Sequence, residues 1–221
     1  MLFRSGHLIN FSTRNKIQIK APHYILITSN KGENYLENIG YALQNVTLEM
    51  ACLGLGTTWL KCMLTRDEVE EFVNLDKIKD KDESEIEYPQ AIIAFGYPQE
   101  GEALFRSSSA IHDRHRMKHI CKTYDEKWFN ALNALRVAPS INNCQPWTLE
   151  QRENGFDLFE DEHKKRLELD KYSRISMGVA LRHFEIACKH DDIDIEYKKL
   201  DVKDKRRKLY FLSVVEKARQ V

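Results

Sequence analysis

The stretch from Arg136 to Trp147, RVAPSINNCQPW, holds two of the five prolines in a chain of 221 residues. Ser140, Asn142, Asn143, Cys144 and Gln145 lie between them. Each proline fixes its own φ and pushes the preceding residue out of the α region. A helix arriving at Pro139 must therefore stop, and the chain entering Pro146 must be extended, so the segment between them is a fixed loop. Its short amides and its hydroxyl are costly to bury unpaired, and they either satisfy their own backbone or face a polar ligand. The residues alone leave both readings open.

The rest of the chain supplies strands and helices around this loop. HYILIT (His23 to Thr28) is a short β-branched run that reads as a strand. From Glu33 to about Gly54, Leu36, Ile39, Leu43, Val46 and Met50 recur largely at helical spacing, which predicts a long helix. Gly54 and Gly56 then give the permissive backbone that a helix stop and a close approach both need. TTWLKCML (Thr57 to Leu64) reads as a strand, and Thr65 with Glu68 forms a capping box for a helix over Glu68 to Leu75. Residues 76 to 88 are a charged, solvated connection. AIIAFGYP (Ala91 to Pro98) reads as the central strand, ended by Gly96 and Pro98. A helix over Asp125 to Ala138 leads into the loop. A hairpin turned at Asn154-Gly155, a helix over Ser173 to Lys189 and strands over Ile193 to Lys199 and Lys208 to Val215 complete the chain. Residues 1 to 20 show no period and read as an irregular arm.

IGYAL (Ile39 to Leu43) and MGVAL (Met177 to Leu181) each open the apolar part of a helix that follows a strand. This suggests two related halves, about 21–120 and 125–221, within one domain spanning 1–221. If so, Gly40 and Gly178 let their helices pack tightly on a common core.

Composition narrows the function classes. Lysine plus arginine and aspartate plus glutamate balance at 34 each, so no global field recruits nucleic acid or an anionic membrane. The five cysteines form no CxxC pair and, without secretory features, fit reduced thiols in a cytoplasm. No window approaches the roughly twenty apolar residues of a membrane span.

The densest basic patch is HDRHRMKHI (His112 to Ile120). His112, His115 and His119 would line one face of a helix and offer a metal site, although Arg114, Arg116 and Lys118 beside them would repel a cation. Arg114 and Arg116 suit a phosphate better, because the guanidinium fork matches it. No GxSxG, HExxH, Walker loop or GxGxxG after a strand is present, which leaves hydrolase, zinc-peptidase and nucleotide-triphosphate readings without a motif. No catalytic residue is identified.

APSINNCQPW (Ala138 to Trp147), GLGTTW (Gly54 to Trp59) and FGYP (Phe95 to Pro98) followed by basic residues together resemble the FMN-dependent nitroreductase superfamily, in its branch of single-chain, repeat-containing members. The late helix around Met177 to Ala187 is similar to that branch's as well, and the resemblance covers about residues 21 to 190. It implies an α+β, nitroreductase-like fold with a central mixed sheet flanked by helices. It also implies an NAD(P)H oxidoreductase that passes a hydride from nicotinamide to FMN and then to a nitro compound or quinone. Pro139, Ser140, Asn143 and Gln145 would contact the flavin ring or ribityl chain. Gly54 and Gly56 would bring backbone close to the ring, and Arg114 and Arg116 would hold the phosphate. A homodimer is suggested by the same resemblance. The family's arginine-serine-arginine arm is answered here only by Arg4-Ser5 and Ser12-Thr13-Arg14. That departure motivates the alternative of a degenerate member serving as a binding or interaction module.

Overall fold

The computed structural model describes residues 2–3, 19, 21–71, 86–101, 104, 113–162 and 170–218. Most of the expected amino-terminal arm, the charged segment 76–85, the carboxyl end of the helix expected to reach Leu75, Ser107 to Ser109 and His112 lie outside them. The chain divides into two compact units, residues 1–35 with 46–106 and residues 36–45 with 107–221.

In the first unit β1 (Leu2–Phe3), β2 (His23–Ser29), β3 (Gly56–Lys61) and β4 (Tyr88–Gly96) form a four-stranded sheet in the order β1-β2-β4-β3, with every pair antiparallel. The continuous apolar run of β4 takes an inner place, because residues 89–94 are buried and both neighbours hydrogen-bond to it. Helix α1 (Tyr35–Cys52) leads into β3. Its end is closed by Gly54 at φ 80, with Gly54 N–H on the Ala51 carbonyl and Leu55 N–H on the Met50 carbonyl, a paired C-terminal cap that only an achiral residue forms at low cost. The capping box is present as the sequence predicts: Thr65 accepts from Glu68 N–H while the Glu68 carboxylate accepts from Thr65 N–H at the start of α2 (Arg66–Glu70).

The second unit repeats this topology. Strands β5 (Trp147–Arg152), β6 (Gly155–Asp161), β7 (Ile195–Lys198) and β8 (Lys208–Glu216) are ordered β5-β6-β8-β7, again antiparallel, with the long helix α5 (Asp170–His190) between β6 and β7. The short helix α3 (Met117–Ile120) and then α4 (Phe129–Val137), entered through a 3-10 turn at Glu126–Trp128, precede β5. In the core, the rings of Trp128, Phe156 and Phe184 meet at 5.2 to 6.1 Å, joining the 3-10 turn, β6 and α5. The α+β class thus holds, with the described strands in two antiparallel sheets rather than in one mixed sheet. The hairpin also differs by one position. Arg152 pairs with Gly155, so Glu153 and Asn154 form its turn and Gly155 opens the strand at φ 135, where a Cβ would strike the Val214 carbonyl.

The amino-terminal part of α1, residues 36–45, belongs to the second unit and lies against α5. A Cβ on Gly40 would collide with the Ile175 carbonyl, and one on Gly178 with the Glu37 carbonyl. The side-chain pairs along this contact are Glu37 with Arg174 (2.5 Å), Asn45 with Arg182 (2.6 Å) and Gln44 with His183 (3.1 Å). These partners are 137 to 139 residues apart, the spacing of the two glycines themselves, so the helices run parallel and in the register of the repeated motif. Among the described residues no helix is long and apolar enough to cross a membrane.

In urea unfolding, Gly40→Ala and Gly178→Ala are each expected to lose roughly 1–3 kcal/mol, because the backbones must separate. Gly32→Ala, whose added Cβ meets nothing within 4 Å, is the control and should shift by less than about 1 kcal/mol. Equal stability in all three would contradict the backbone contact.

Candidate functional site

The loop between the two prolines is built by strain and held by side chains. Ala138 leaves α4 buried, and Ser140 is extended at φ −143. Ile141–Asn143 then makes a 3-10 turn in which Asn142 (φ 48) and Asn143 (φ 54) are left-handed, and Gln145 (φ 46) follows them. Asparagine visits this region at modest cost, whereas glutamine has less local compensation, and such residues cost roughly 1 kcal/mol or more each. The compensation is visible. Gln145 N–H donates to Ser140 Oγ at 2.9 Å, Asn143 N–H to the Ser140 carbonyl at 3.0 Å, and Cys144 N–H to the Ile141 carbonyl at 2.9 Å.

The remaining bonds come from residues 113–115. Gln145 is 3% exposed; its Oε1 accepts from His115 N–H at 2.7 Å and its Nε2 donates to the Asp113 carbonyl at 3.1 Å. The Asn143 Nδ2 donates to the same carbonyl at 2.6 Å. Arg114 donates through Nη1 to Asn143 Oδ1 at 2.6 Å and through Nε to the Val137 carbonyl at 3.3 Å. Sequence patterns do not reveal this knot, since its bonds join residues about thirty apart through main-chain atoms of Asp113 and His115. Two further anchors escape the same reading. Ile141 N–H donates to Ser176 Oγ at 3.1 Å, whose own hydroxyl donates to the Tyr172 carbonyl within α5. Asp161 N–H donates to the Pro146 carbonyl at 2.7 Å and ties the loop to β6.

The second unit therefore brings together Pro139, Ser140, Asn143, Gln145 and Arg114. Asn142, Asn143 and Arg116 are exposed, Pro139, Ser140 and Cys144 are half-buried, and Gln145 is enclosed. Arg116 stands at the start of α3, while Arg114 and His115 precede that helix, so His115 and His119 do not share a helix. The His115 and His119 rings lie 6.2 Å apart, and no group of three His, Cys, Asp or Glu that could hold a metal occurs among the described residues. Burial, and then the charge of Arg114, push the His183 imidazole down to about 4, which keeps it neutral beside Gln44. Burial pushes the Cys121 and Cys188 thiols up to about 11 and about 12, so neither is a thiolate.

Gly54 and Gly56 lie in the first unit. Gly54 ends α1, and Gly56 opens β3 opposite Gly96 at an open pocket of about 460 Å3 lined by Pro22, Thr57, Thr58, Phe95 and Tyr97 among others. Residues 113–115 and the loop thus form one bonded group within the second unit, and the two glycines belong to the other.

Residues 4–188 match the model of the family described as "Putative TM nitroreductase". Among solved structures, the chain is similar to a protein from Thermotoga maritima titled a "putative nitroreductase", at a TM-score of 0.58 and 15% identity. The match covers 96% of this chain and 84% of that one. No match is found among curated proteins.

Gln145→Glu would turn a buried donor into an acceptor facing the Asp113 and Asn143 carbonyls, and is expected to cost roughly 2–4 kcal/mol in chemical unfolding. Gln145→Ala, which leaves His115 N–H and the Asp113 carbonyl without these bonds, should cost less than the charged variant. A second test uses pH. The His183 imidazole titrates near 6.5 when free and near 4 when folded, so the unfolded state takes the proton first as pH falls. Its contribution to stability is full above about 6.5 and is lost progressively toward about 4. The thermal midpoint of His183→Gln should fall less steeply across that window, and an unchanged slope would contradict the assignment.

Proposed function

We propose that this chain, which belongs to the nitroreductase family, is an FMN-dependent NAD(P)H oxidoreductase acting on a small-molecule acceptor. The observation that carries the reading is the self-braced loop 139–147, with Asn143 exposed, Ser140 half-exposed and Arg114 bonded to it. Such a loop is ordered before any ligand arrives, which lowers the entropy lost on binding. The residues suit a flavin. The indole N–H of Trp147, 1% exposed, meets no acceptor among the described residues, and a ligand with carbonyl and ring-nitrogen acceptors would satisfy a donor of this kind. FMN held there would supply hydride-transfer chemistry between nicotinamide and a nitro compound or quinone.

The chain's own residues bind and orient. Pro139, Ser140 and Asn143 would meet the ring or the ribityl hydroxyls. Gln145, enclosed and bonded within the loop, would act by holding Asn143 and the backbone in place. Arg114 and Arg116 would hold the phosphate, with Arg114 also bracing the loop. A cytoplasmic setting would keep the five cysteines as thiols.

One observation favours a second reading, in which the fold is kept as a binding or interaction module: the Gln145 amide and part of the Arg114 guanidinium are already turned onto the loop. Quenching of FMN fluorescence separates the two. The oxidoreductase reading expects saturable binding, weakened about tenfold by Ser140→Ala and by Arg116→Ala and unaffected by Lys217→Ala. Absence of binding by the unaltered protein would favour the module.

A further inference from the structure

We propose that the hairpin tip between β7 and β8, Lys205 to Lys208, clamps a phosphomonoester: the 2′-phosphate of the nicotinamide donor, which makes that donor NADPH rather than NADH. The choice of donor rests on the oxidoreductase reading; the clamp itself does not. The tip lies beyond residues 4–188, the stretch that matches the family model. Residues 198–208 read KKLDVKDKRRK, seven lysines and arginines against two aspartates. Lys205 N–H donates to the Lys208 carbonyl at 2.9 Å and Lys208 N–H to the Lys205 carbonyl at 2.9 Å. Together they close a two-residue turn over Arg206 and Arg207.

Arg207 stands in this turn at φ 66. Turn chemistry gives such a position to glycine or asparagine, because a Cβ is strained there. Glycine would close the same hairpin more easily, so what arginine adds is its guanidinium, and Arg206 sets a second one beside it. Both residues are exposed. The frame under them is ordered: the Arg207 carbonyl accepts from Glu162 N–H at 2.9 Å, and Asp204 Oδ1 accepts from Tyr210 N–H at 2.7 Å. The neighbouring lysines are engaged within the fold. Lys205 and Lys208 turn to the Glu150 carboxylate, Lys208 at 3.8 Å, and Lys199 Nζ donates to the Phe211 carbonyl at 2.5 Å.

The tip also stands beside the proline-bounded loop. Asp161 N–H bonds the Pro146 carbonyl at 2.7 Å, and the next residue, Glu162, bonds Arg207. β5, β6 and β8 are neighbours, so the tip and the end of the loop are two strand spacings apart, roughly 10 Å. A dinucleotide with its nicotinamide at the loop is long enough to bring its adenosine end over the tip. Adjacent guanidinium groups match a phosphomonoester, which is close to doubly charged at neutral pH and offers three acceptor oxygens. NADH carries a neutral hydroxyl at that place and gives the arginines no charge to meet. Glu150, Asp161 and Glu162 lie close to these cations, so the attraction is short-ranged and added salt weakens it.

The test is calorimetric binding of adenosine 2′,5′-bisphosphate, adenosine 5′-monophosphate and inorganic phosphate to the full chain, without reductant. The bisphosphate is expected to bind about tenfold more tightly than the monophosphate, with the difference shrinking as salt is raised. Arg206→Ala and Arg207→Gly should each reduce that preference several-fold. Arg207→Gly relieves the turn and should hold or raise the thermal midpoint, so its loss of preference cannot be unfolding. Equal binding of the two nucleotides, binding of neither, an unchanged preference in both variants, or inorganic phosphate binding as tightly as the bisphosphate would each overturn the proposal. In the protein loaded with FMN, Arg207→Gly should raise KM for NADPH about tenfold and leave KM for NADH unchanged; equal KM values for the two donors in the unaltered protein would overturn the choice of donor. A preference for the bisphosphate in a protein that takes up no FMN would defeat the oxidoreductase reading alone and leave the clamp standing.

Discussion

Two helices lie backbone to backbone where α1 meets α5, and the second unit depends on that contact. Gly40 and Gly178 each face a carbonyl of the opposite helix with no room for a methyl group. Parallel helices set their dipoles side by side, which is electrostatically unfavourable, so the contact needs other support. It comes from the close approach itself and from polar pairs: Glu37 with Arg174, Asn45 with Arg182, and Gln44 with a neutral His183. Arg182 also reaches Glu185 at 2.9 Å and lies over the Tyr41 ring, so the buried side of α1 is held by charge and amide chemistry as much as by apolar area.

From that helix pair the site is reached in one step. Ser176, two residues before Gly178, takes the Ile141 N–H, so the proline-bounded loop is fastened to the helix whose position the glycine contact sets. The loop holds three left-handed residues, and the bonds from Ser140, Gln145 and Arg114 offset their strain. Arg114 links the two regions electrostatically as well, because its charge helps to keep His183 neutral. A loop assembled in this way is stiff, with the exposed Asn143 amide and the half-buried Ser140 hydroxyl already oriented.

Much of this was legible in the sequence, and the reasons are local. The capping box at Thr65 and Glu68, the buried run of β4, the helix stop at Gly54 and the loop between Pro139 and Pro146 each follow from the conformational limits of a few adjacent residues. IGYAL and MGVAL marked the tight contact, because glycine inside an apolar helical face has little purpose other than close approach. What was not legible is which partner each face meets. Periodicity reports that a face is buried, not that α1 and α5 run parallel and in register, nor that the described strands divide into two antiparallel sheets. Nor could it show that Arg114, read from its charge as suited to a phosphate, turns onto Asn143, or that Gln145 is enclosed rather than presented.

The central claim is that this loop and its arginines serve a flavin. The most direct measurement is the visible absorbance spectrum of the protein, as purified and after incubation with FMN and removal of the excess. The account predicts retained flavin bands that bleach when NADH or NADPH is added without oxygen and return when a nitro compound or quinone follows. A protein that stays colourless after both treatments would contradict it.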